Sequence, residues 1–145
     1  MDKNLFLIEL SESERTDFGK VDFAAQSVAQ KTFSAIWELE SQVNGGGFAE
    51  FFRSAETETI MYAAEALRRI GANSCAEIVD SAIALVSPIP ADEEARIEAI
   101  DAALEADEEL FEELDNQFFE YPDNLTELLF EYVSQHPDEF GEVPS

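Results

Sequence analysis

Cysteine, histidine, positive charge and long apolar runs are all scarce in this chain, and each shortage excludes something. One cysteine, Cys75, rules out an intrachain disulfide. Its apolar neighbours Ala72, Ala76 and Ile78 suggest a buried helical position, and nothing basic lies beside it to activate the thiol. With His136 as the sole histidine, no Ser-His-Asp or Cys-His constellation and no zinc set can be assembled. We therefore expect no catalytic residues, no metal, no cofactor and no enzyme activity. No stretch approaches the ~20 apolar residues that span a bilayer. The run Asn4-Leu5-Phe6-Leu7-Ile8 is too short for a secretory core and is followed by Glu9, so a cytoplasmic setting is the default expectation. Only 8 Lys and Arg face 33 Asp and Glu. Direct nucleic-acid binding needs clustered bases to meet phosphates, and anionic headgroups repel such a surface. Neither nucleic acid nor membrane is an expected partner.

What the chain does have is a core and a great deal of acid. It is 145 residues long and 46% hydrophobic with 12 Phe, which suits one folded domain rather than an acidic tail. Apolar residues recur at helical spacing throughout, so we expect an all-α, single-domain compact bundle of about five to seven helices. Residues 1–20 read as a peripheral N-terminal segment. A first helix is expected from about Val21 to Val43, ended by Asn44-Gly45-Gly46-Gly47 and followed by the cluster Phe48, Phe51 and Phe52. Further helices are expected from about Glu56 to Ile70, stopped by Gly71, and from Ser74 to Val86, before the break Ser87-Pro88-Ile89-Pro90. Another starts at the N-cap Asp92 and runs to about Phe119 with a kink near Asp107. The last spans Leu125 to Ser134 and ends at His136-Pro137.

The net charge of −25 far exceeds the magnitude of roughly 2–8 that keeps a small domain soluble. Residues 1–91 carry 14 acidic and 7 basic residues, net −7, whereas residues 92–145 carry 19 acids and one base, Arg96, net −18. Glu94, Glu98, Asp101, Glu105, Glu108, Glu112 and Asp115 follow one another at spacings of four and three, which places them along one helix face as a ridge. The apolar set Ile97, Ile100, Leu104, Phe111, Leu114 and Phe118 keeps the same period on a neighbouring face. From Asp92 to Asp115 there are twelve acids and one base, net −11. At ~1.5 Å per residue that is one net charge per ~3.3 Å, close to the ~3.4 Å per phosphate of a single DNA strand. Glu120, Asp123, Glu127 and Glu131 add to it.

A solvated helix face normally interleaves Glu with Lys, because like charges at i and i+4 repel. This one does not, which favours a binding role. Adaptation to high salt is an alternative source of acidity, against which stand the excess of Glu over Asp, 23 to 10, and the concentration of charge in one third of the chain. Calcium loops want acids in a Gly-containing loop rather than on a regular helix.

The stretch from Glu38 through Val43, Asn44, Gly45, Gly46, Gly47 and Phe48 to Phe51-Phe52 resembles the hallmark of the bacterial DNA-mimic-protein domain family: an acidic helix, then Val-Asn-Asn-Gly-Gly-Phe, then an aromatic pair. Ala66 to Ala72 is similar to its second motif, and Leu114 to Phe119 followed by Leu125 to Tyr132 to its third, so the resemblance covers about residues 33–140. Gly45 stands where the family has a second Asn, and Arg53-Ser54 where an Asn often follows the aromatic pair. The resemblance implies an all-α domain, often a homodimer, that imitates the charge of DNA and occupies the DNA site of a basic DNA-binding protein such as a transcription factor. We read Asn44, Gly46, Gly47 and Phe48 as a structural turn with Phe48 as its core anchor, and the acidic ridge as the partner-binding surface. An immunity or antitoxin-like inhibitor of a basic nuclease would use the same surface physics. An enzyme built on a carboxylate pair would instead need a deep pocket with two close acids.

Overall fold

Ser27 starts the first helix with a capping box. Its Oγ accepts from the Gln30 amide, and Gln30 Oε1 accepts from the Ser27 amide, both at 3.2 Å. In the computed structural model, which describes Leu7, residues 27–87 and residues 89–136, this helix, α1, runs Val28–Ser54. Phe33, Ile36, Leu39 and Val43 recur on its buried face. The glycine run interrupts the helix as expected, but at Gly46 and Gly47 and not directly after Val43. Gly46 and Gly47 leave helical geometry, and the chain then resumes α-helix directly. Phe48, Phe51 and Phe52 renew the three-and-four period and are fully buried. Burying each such ring gains about 1.5–3 kcal/mol, which outweighs the loss of one helical turn at the glycines. The expected start, residues 21–26, lies outside the described residues.

Helix α2, Thr57–Arg69, carries Arg68 and Arg69 in its last turn, where cations suit the negative helix end. It stops as expected at Gly71, whose φ of +87° suits glycine. The Gly71 amide donates to the Arg68 carbonyl and the Ala72 amide to that of Leu67, the paired bonds of a Schellman cap. Helix α3, Asn73–Val86, has no side-chain cap of its own. Asp123, distant in sequence, accepts from the Cys75 amide at 2.9 Å and serves that end. Helix α4, Glu93–Phe119, begins on Asp92, whose carboxylate accepts from the Ala95 amide at 2.9 Å, and it bends at Asp107 (φ −129°, ψ 35°). Helix α5, Leu125–Ser134, is capped by Asn124.

Among the described residues there are five helices and no strand, an all-α fold. Helix α1 is the spine, packed on α2 and α4, while α3 packs on both α2 and α4. Phe33, Phe48, Phe51, Phe52, Phe111 and Phe118 fill the core, with Leu7 also buried there. Phe48 meets Phe118 edge-on at 5.6 Å between ring centres. Among the described residues no helix is long and apolar enough to cross a membrane.

Candidate functional site

Helix α4 carries eleven carboxylates and one base between Glu93 and Phe119. Ile100, Phe111 and Phe118 are buried, and Ile97, Leu104 and Leu114 are half-buried, so these residues seat the helix on the core. Glu94, Glu98, Glu105, Glu108 and Glu112 are all exposed, and none makes an ion pair among the described residues. Glu93, Glu109 and Glu113 are exposed beside them.

Two members of the seven-residue series behave differently. Asp101 is exposed but tied to Arg53, whose Nη2 donates to Oδ1 at 2.5 Å and whose Nε donates at 3.0 Å. Its charge is therefore partly neutralised by α1. Asp115 is half-buried and turned toward the glycine motif: its Oδ1 accepts from the Phe48 amide at 2.8 Å. Burial pushes the Asp115 carboxyl up; the Phe48 amide pulls it down, and nearby Glu112 pushes it up again. The ridge is not continuous either, because the bend at Asp107 divides α4 into two arms, residues 93–106 and 108–119. At the bend, Glu105 to Leu110 line a concavity of about 340 Å³.

The lone base of the acidic third points inward. Arg96 is 3% exposed. Its Nε donates to the Phe52 carbonyl at 3.0 Å and its Nη1 to Thr57 Oγ1 at 3.1 Å. Phe52 lies in the last turn of α1, where carbonyls lack helical partners and the dipole is negative, so Arg96 satisfies that end. Its contacts lie with α1 and Thr57, so it neutralises none of the exposed glutamates of α4. The sequence carried a signal for this: Arg96 lies four residues before Ile100, in line with the apolar stripe.

The motif residues converge on the second arm. Asn44 is exposed, and its Nδ2 donates to the Tyr121 hydroxyl at 2.9 Å; that hydroxyl donates to Glu40 Oε1 at 3.0 Å. Burial pushes the Glu40 carboxyl up, and the Tyr121 hydrogen bond pulls it back. Gly46 is exposed, while Gly47 and Phe48 are buried. Tyr121 was not marked out by sequence reasoning. It holds a left-handed φ of +49°, uncommon for a bulky residue. Elsewhere on the chain, burial first, and then the nearby charge of Glu56, push the Glu38 carboxyl up.

These features define a class: a small all-helical protein that presents a concentrated acidic face from a rigid apolar core. Within it, the chain belongs to the DMP19-like protein family, whose model matches residues 24–136, and this is the DNA-mimic family that the sequence as a whole resembles. No curated protein and no solved structure matches the chain.

Proposed function

We propose that this protein is a DNA mimic that binds a basic DNA-binding protein, such as a transcription factor, and blocks its DNA site. The observation that carries this reading is the pair of acidic arms on α4: five exposed glutamates of the ridge, without an ion pair among the described residues, on a helix seated by buried Ile100, Phe111 and Phe118, with Arg96 turned inward. Glu94, Glu98, Glu105, Glu108 and Glu112 stand for phosphates, and the rigid support removes much of the ordering cost of binding. Membership of a DNA-mimic family supports the same reading. Long-range attraction between a surface of this charge and a basic partner makes association fast and salt-sensitive.

We read the protein as a binder and not an enzyme, acting in the cytoplasm. Two of its half-buried acids, Glu40 and Asp115, hold the Tyr121 hydroxyl and the Phe48 amide respectively, which gives each a structural task. A basic nuclease would fit the same face, and the captured client decides between the two.

The test is capture from native lysate on the immobilised protein at low salt, with elution along a salt gradient. The expected client is a basic protein that elutes early and is not retained by the Glu98→Lys, Glu105→Lys, Glu112→Lys triple variant. A client bound equally by the native and triple-variant proteins, or insensitive to salt, counts against the proposal.

A further inference from the structure

The two arms of α4 are carried by one short piece of α1. Beyond the glycine kink, Phe48 holds the second arm: its amide donates to Asp115 at 2.8 Å and its ring packs edge-on against Phe118. Four to five residues later, Phe52 and Arg53 hold the first arm, through the Arg96 guanidinium and the Asp101 carboxylate. Residues 48–54 thus act as a splint across the bend at Asp107.

The join between splint and second arm is built for glycine. Gly47 has φ +78° and ψ −176°, a region of backbone space that is essentially glycine's alone. A Cβ there would lie 2.8 Å from the Asp115 carboxyl carbon and closer still to one of its oxygens. The Asp115 carboxylate therefore occupies the volume that any other residue at 47 would fill. Phe48, first after the kink, offers its amide as at a helix start, and a carboxylate is a strong acceptor for such a donor. Two residues before the kink, Asn44 ties down Tyr121, two residues beyond the end of α4, and Glu40 accepts from the same hydroxyl.

We propose that Asp115, docked in the Gly47 notch, is a positioning residue that sets the angle between the two acidic arms, and that it does not itself contact a partner. The use of that angle, matching charges to a basic protein's DNA site, rests on the mimicry reading; the positioning itself does not.

The test is a distance measured on the free, full-length protein. Nitroxide labels replace Glu98 and Glu112, one on each arm, in a Cys75→Ser background, and double electron–electron resonance reads the separation. The native residues at 47 and 115 should give one narrow distribution. Gly47→Ala and Asp115→Ala should each shift or broaden it while helix content by circular dichroism stays native. Asp115→Asn, which keeps an acceptor oxygen for the Phe48 amide, should restore the narrow distribution. If Gly47→Ala does not fold, the two Asp115 variants decide. A native distance in Asp115→Ala, or Asn as disruptive as Ala, overturns the proposal. No partner is present in the experiment, so its failure would leave the mimicry reading standing, and failure to capture a basic client would leave the positioning result standing.

Discussion

Cys75 shows how burial disposes of a reactive group. It sits fully buried near the start of α3, and burial pushes its thiol up to about 11, with Asp123 beside it. Little thiolate exists at neutral pH, so an aromatic disulfide reagent should label it slowly in the native protein and completely in urea. Rapid native labelling would contradict the placement. Phe48 is the opposite case, a residue whose role is to fill space. It is fully buried against Phe52 and Phe118, so Phe48→Ala should cost about 3–5 kcal/mol in urea unfolding. Arg96→Ala should cost about 1–3 kcal/mol, because it leaves the buried Phe52 carbonyl without its donor.

On the scale of the element, α4 is where sequence and structure part company. The four-and-three spacing of its acids was legible, as were its N-cap at Asp92 and the bend near Asp107. The inward turn of the last acid departs from the ridge, and its angular position explains why. At about 100° per residue, Asp115 falls only roughly 50° from the mean direction of the apolar set, whereas Glu98 falls roughly 150° away. Asp107 lies between Leu104 and Phe111 on the apolar stripe itself, and there the helix bends. Asp101 could not be assigned from one helix alone, because its partner, Arg53, comes from α1. The glycine run was legible as a break, but the resumption of helix straight after it was not: the three phenylalanines that follow have core to fill and draw the chain back into helix. The exposed glutamates of α4 repel one another at i, i+3 and i+4, each contact costing about 0.2–0.5 kcal/mol. Reversing Glu98, Glu105 and Glu112 to Lys should therefore raise the melting temperature while abolishing partner binding. A triple variant that is less stable and still binds would contradict both the electrostatics and the site.

Across the whole molecule, a net charge of −25 strains the folded state by self-repulsion, and added salt should stabilise it while weakening any basic partner's grip. The pH dependence has a definite sign. The Glu38, Glu40 and Asp115 carboxyls are held above their ordinary value, first by burial. The folded chain keeps these protons to higher pH than the unfolded chain does, so stability falls as pH rises from the ordinary carboxylate range, about 4, through the raised values. Thermal unfolding should therefore occur at higher temperature at about pH 5 than at about pH 7.5; the reverse order would contradict the burial of these acids. Such a fold retains an electrostatic cost that a purely structural domain would be free to relieve, as expected where surface charge serves recognition.

The most direct measurement is competition for a DNA site. A basic DNA-binding protein captured by this chain is bound to its fluorescently labelled duplex, and anisotropy is followed as the chain is added at low and at moderate salt. Displacement of the duplex, steeply weaker at the higher salt and absent with the triple Lys variant, is the predicted result. A duplex that stays bound while the acidic protein binds elsewhere, or displacement indifferent to salt, would contradict the account.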